Sequence, residues 1–61
     1  MYEIAEKLAK EHGISMYRLA KATGLTTSMF SNWKAGKYRP KYEKLKKIAD
    51  YFGVSVEVFY N

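Results

Sequence analysis

Sixty-one residues make one domain at most, and a chain this short buries only about 60% of its unfolded surface. It has no cysteine, which excludes disulfides, thiolate–metal staples and thiol catalysis, and no apolar run approaches the roughly 20 residues of a membrane span. The net charge is +5, from eleven Lys and Arg against six Asp and Glu, which points to a polyanionic partner.

The first predicted element is a helix over about 2–12, with Ile4, Ala5, Leu8 and Ala9 on one stripe. Glu3 with Lys7 and Glu6 with Lys10 are acid-before-base pairs one turn apart, which support it. Gly13 ends this helix, and Ser15 caps a second over 16–23 with Met16, Leu19 and Ala20 inward. Gly24 ends the second. Thr26 caps a third over 27–35, which Gly36 closes. A turn from Lys37 to Pro40 leads to a fourth helix over 42–52, with Leu45, Ile48, Ala49 and Phe52 inward. Gly53 ends it, and Ser55 caps a short fifth helix over 56–60. No strand, linker or low-complexity tract is expected.

One punctuation recurs three times: Leu/Ile-Ala, three residues, Gly, an aliphatic, Ser/Thr, three residues, Leu/Phe. It runs Leu8-Ala9 to Leu19, Leu19-Ala20 to Phe30, and Ile48-Ala49 to Phe59. Glycine takes the left-handed conformation that stops each helix. The aliphatic beside it touches the alanine behind and staples to the apolar residue ahead. Three abrupt corners in so short a chain predict an all-α, compact, orthogonal five-helix bundle, one domain over 1–61.

The third helix carries the most informative surface. At 100° per residue Phe30 and Trp33 share one side, while Ser28, Ser31, Asn32 and Ala35 share the other. An ordinary solvated face carries Glu and Lys. A face of short, uncharged, hydrogen-bonding groups suits close approach to the floor of a DNA major groove. The charge follows: residues 1–33 carry +1 and residues 34–61 carry +4. Between Lys34 and Lys47 seven basic residues face only Glu43. Such a block suits nucleic acid or an anionic membrane surface, and a plain solvated lysine face is the bland alternative.

Leu19-Ala20, Gly24-Leu25, Phe30 and Trp33 together resemble the helix-turn-helix of the lambdoid phage repressors and Cro proteins, the xenobiotic-response-element type. The tail Lys44-Leu45 through Ile48-Ala49-Asp50-Tyr51-Phe52-Gly53-Val54-Ser55-Val56-Glu57 is similar to that family's last two helices, so the likeness covers nearly the whole chain. The resemblance implies that helix 3 is the recognition helix and that Thr27, Ser28, Ser31 and Asn32 meet base edges. Asn32 suits adenine N6 and N7. It implies phosphate contacts from Thr26, Lys34, Lys37, Tyr38, Arg39 and Lys41, with Lys41 placed to reach toward the minor groove and Thr26 serving equally as N-cap. The partner implied is double-stranded DNA, read as a weak homodimer on a pseudo-palindrome, in a phage or bacterial transcriptional repressor. Val56 and Tyr60 are candidates for the dimer contact, or for a junction to a further domain.

The sequence departs from the family at two places. Met16 stands where a phosphate-gripping glutamine is common, with Tyr17 or Arg18 as substitutes. The recognition face also lacks arginine, lysine and glutamine among Thr27, Ser28, Ser31 and Asn32. Modest specificity, an A·T preference and a contribution from DNA shape are therefore expected. Simpler roles are expected elsewhere: His12 caps a helix, Tyr2, Tyr17 and Tyr51 are half-buried, and Tyr38 and Tyr42 divide between phosphate contact and surface packing. No Gly-rich phosphate loop, nucleophile elbow or zinc spacing occurs, so the chain is not expected to be an enzyme or to carry a cofactor. A cytoplasmic location is expected, since no signal-peptide pattern opens the chain. Two other functions compete: an antitoxin-like or regulatory protein-interaction module on the same fold, and an anionic-membrane binder acting through residues 34–47.

Overall fold

The computed structural model describes residues 1–60. Four α-helices follow one another: α1 (Tyr2–Glu11), α2 (Met16–Thr23), α3 (Thr27–Lys34) and α4 (Tyr42–Phe52). The expected fifth helix is a single 3-10 turn, Val56–Phe59. Four residues close one turn with i→i+3 bonds, and Ser55 Oγ accepts from Glu57 N two residues on, so the segment stays tight and short. There is no strand among the described residues. Asn61, included in the expected domain, lies outside them.

The helix ends fall where caps and glycines put them. Ser15 Oγ accepts from Arg18 N at 3.1 Å, and Thr26 Oγ1 accepts from Met29 N at 3.1 Å, each satisfying an orphan donor of the first turn. At the exits, Ile14 N donates to Ala9 O, Leu25 N to Ala20 O and Val54 N to Ala49 O, all at 3.0 Å. These are six-to-one Schellman bonds, so the aliphatic after each glycine is tied to the alanine behind it. Ile14, Leu25 and Val54 are half-buried against the core. His12 closes α1 as expected: its Nδ1 donates to Leu8 O at 2.9 Å. Its ring also lies 4.8 Å from that of Phe52. The two acid–base pairs expected along α1 do not form ion pairs among the described residues; Glu3 meets the terminal ammonium instead, and Lys46 with Asp50 on α4 is the pair that closes, at 3.3 Å.

Gly24 sits at φ +75°, and a Cβ built there meets nothing within 4 Å. Conformation is therefore its sole requirement. Gly24→Ala should destabilise the fold by about 1–2 kcal/mol, the cost of the left-handed region for an L residue. Chemical denaturation reads this as a lower midpoint at unchanged slope.

The core is Ala5, Ala9, Leu19, Ala20, Phe30, Trp33, Leu45, Ile48, Ala49, Phe52 and Phe59, joined by Tyr2 and Met29. α4 packs on both α2 and the 3-10 turn, and α2 packs on α1 and α3. Alanines at 0–2% exposure where α1, α2 and α4 approach one another leave no room for a larger side chain. Three tyrosines depart from expectation. Tyr2 is buried, edge-on to Trp33 at 5.5 Å, whereas Tyr17 is 62% exposed. Tyr51 is also exposed.

Candidate nucleic-acid interface

α3 divides cleanly. Met29, Phe30 and Trp33 are buried, and every other residue from Thr27 to Ala35 is exposed. Trp33 is the anchor, with ring centroids 6.1 Å from Phe30, 6.3 Å from Phe59 and 5.5 Å from Tyr2. Rings from α1 and from the 3-10 turn thus clamp one side of a short helix and hold its other side outward. On the helical wheel the exposed arc runs from Lys34 through Thr27, Ser31, Ala35 and Ser28 to Asn32. Its only charge is Lys34, at one edge. Thr27, Ser31 and Lys34 share a groove with Tyr17 of α2 and Glu6 of α1. Ser28 and Asn32 lie on the opposite border of the arc, free of that groove.

The cationic segment starts where α3 stops. Gly36, at φ +79°, makes a fourth Schellman corner, in which Lys37 N donates to Asn32 O at 2.8 Å. The sequence repeat did not show this corner because its alanine and aliphatic are replaced by Asn32 and Lys37. Both are exposed, so this corner faces solvent instead of core. Its hydrogen bond ties the exposed arc directly to the basic loop. Tyr38 and Arg39 then share a hollow with Trp33, Lys34 and the start of α1. Lys37, Arg39 and Lys41 are exposed, and Tyr38 is half-buried. None of these three cations lies within ion-pair distance of a carboxylate among the described residues.

A second hollow adjoins, lined by Tyr38, Arg39, Lys41, Tyr42, Glu43 and Lys44. Lys44 was not among the expected site residues. Its Nζ donates to Tyr38 Oη at 3.0 Å. The same Nζ is 5.4 Å from the ring centroid. It therefore lies out beyond the hydroxyl, and the contact is a hydrogen bond, not a cation over a π face. The signal in the sequence is positional. Lys41 is the N-cap of α4 and makes no side-chain cap bond, and Lys44 is three residues on. A capping box would put Ser or Thr at the first position and Glu at the second. Two lysines there oppose the helix dipole.

Two groups carry shifted pKa values. Burial, then the neighbouring Glu6 carboxylate, raises the Tyr2 phenol above its usual value. The terminal ammonium and a backbone hydrogen bond lower the fully exposed Glu3 carboxyl. Neither group lies on the exposed arc of α3.

A family model described as helix-turn-helix matches residues 4–59. The chain belongs to the Cro/C1-type helix-turn-helix family. It is a DNA-binding helix-turn-helix domain, with α2 and α3 as the motif and Gly24 at its turn. Comparisons with the curated proteins and with the solved structures give no significant match. In this helix-turn-helix domain, Ala20 is 1% exposed at the elbow between the two helices, and a larger side chain there would drive them apart. No helix of the described residues is long and apolar enough to cross a membrane.

Proposed function

We propose that this domain reads a specific duplex sequence by laying α3 in the major groove, as a transcriptional repressor of phage or bacterial type. One observation carries the reading: the exposed arc of α3, uncharged except for Lys34 at its edge, is joined through the Gly36 corner to a run of cations that have no ion-pair partner among the described residues. Thr27, Ser28, Ser31 and Asn32 face base edges in this reading, and Thr26, Lys34, Lys37, Tyr38, Arg39 and Lys41 face phosphates. Phosphate contacts set affinity and register, and base contacts set sequence. The hydroxyl of Thr26 keeps its hydrogen for a phosphate while its oxygen caps α3.

The size of α3 argues for pairing. Eight residues span about 12 Å, which covers about four base pairs. Four base pairs recur too often by chance to mark one operator. Two copies on a pseudo-palindrome, with half-sites one helical turn apart, double the site. Half-buried Val56 on the 3-10 turn and exposed Tyr60 at its C-cap are our candidates for the contact between copies. We also read that turn as the family's fifth element, with the helices crossing steeply at the glycine corners.

Selection of bound sites from a random duplex library tests this directly, by returning an A·T-biased motif with two-fold symmetry. On the selected site Asn32→Ala should cost about 1–3 kcal/mol and flatten preference at one position per half-site. An unchanged titration for that variant removes Asn32 from the readout. Tight protein binding without duplex affinity at low salt would favour the protein-interaction reading instead.

A further inference from the structure

We propose that Lys44 and Tyr38 act as one phosphate-holding unit, in which Lys44 positions the Tyr38 hydroxyl to donate to the DNA backbone. The proposal deepens the DNA reading and rests on it. Tyrosine has one hydroxyl hydrogen and an oxygen that accepts. The Lys44 ammonium, a donor without acceptor capacity, occupies the oxygen at 3.0 Å. The hydroxyl hydrogen must therefore point elsewhere, and among the described residues it has no acceptor. Tyr38 is half-buried in the loop leaving α3, so its ring is held while its hydroxyl meets Lys44, and both residues line the hollow shared with Arg39 and Lys41. An anionic oxygen there would take the free hydrogen and lie beside three cations. Glu43 is the only carboxylate lining that hollow. It forms no ion pair with them among the described residues.

The position of Lys44 supports the same conclusion. Three residues into α4 is a place where a cation costs helix stability and an acid would add to it. Local rules broken without a structural gain mark places where function competes with folding. The gain here is a hydroxyl aimed by a charge-assisted bond.

A double-mutant cycle on duplex affinity tests the unit. Tyr38→Phe and Lys44→Met should each weaken binding about tenfold. The double variant should lose no more than about twofold beyond either single, because each change already breaks the shared unit. Losses should be equal on selected and unrelated duplexes, since a phosphate carries no sequence, and Lys44→Arg should bind within about twofold of the wild type. Multiplying losses, or a single variant without effect, overturn the unit. So does a loss confined to the selected site, which would mean that α3 had merely shifted. A wild-type chain without duplex affinity fails the DNA reading itself. Wild-type binding with an additive cycle fails the pairing of Lys44 with Tyr38 alone.

Discussion

Trp33→Ala should abolish cooperative unfolding and leave a chain without measurable duplex affinity. Trp33 is 6% exposed and meets rings from α1, α3 and the 3-10 turn within 5.5–6.3 Å. Removing a buried tryptophan costs about 3–5 kcal/mol through lost transfer energy and the cavity left behind. A domain of this length holds roughly 3–9 kcal/mol in total at typical values per residue. The loss is thus comparable with the whole stability. The cavity would also open under the face that orients Ser28 and Asn32, so the helix they ride on would lose its seat even in molecules that stay compact. Thermal melting by circular dichroism reads the outcome. A sigmoidal transition within about 5 °C of the wild type would show that the aromatic clamp does not carry the fold, because about 1 kcal/mol already shifts a domain this small by roughly that much.

The division of α3 into a clamped side and a free side was legible in the sequence, because period and residue type agreed. Phe30 and Trp33 fall on one side of the wheel, and both are buried. The boundaries of α2 and α4 also fall where expected, at 16–23 and 42–52, since a cap and a glycine bracket α2 and a glycine closes α4. α1 and α3 each stop one residue short of expectation, at Glu11 and Lys34, where the last residue is the cap and no longer helical.

What the sequence hid was chiefly the use of tyrosine and the pairing of side chains. A phenol is apolar in body and polar at its tip, so its type alone does not choose burial. Tyr2 is drawn inward by Trp33, while Tyr17 sits on the outer side of α2 beside Lys21. Met29 is buried although it follows the exposed Ser28, because a third apolar group widens the clamped side of α3. The Gly36 corner is hidden in the sequence for a different reason. It keeps the backbone bonds of the other three while replacing their apolar pair with Asn32 and Lys37. A repeat sought through side chains cannot show a repeat made by main chain. The Lys44–Tyr38 bond joins residues six apart across a turn, a spacing that no helical or strand period specifies.

Replacing Lys41 by Asp together with Lys44 by Glu should separate stability from binding. Lys41 is an N-cap without a side-chain cap bond, so the early N–H groups of α4 lack the partner that Ser15 and Thr26 give α2 and α3. Asp at the cap should add about 1 kcal/mol. Removing two cations from the positive end of the helix and supplying acids adds a further 0.3–1 kcal/mol or so per site. For a domain of this size each kcal/mol raises the melting temperature by about 4–8 °C. The same variant turns two cations of the proposed phosphate surface into anions, and duplex affinity near 0.1 M salt should fall about a hundredfold or more. The slope of log affinity against log salt should flatten by roughly 0.9 for each phosphate that is no longer neutralised. Hotter melting with binding intact would place DNA away from the start of α4. A lower melting temperature would mean that the lysines are there for the helix after all. Only the opposed pair of changes, tighter folding and weaker binding, fits a chain that carries cations at the wrong end of a helix for the sake of its partner.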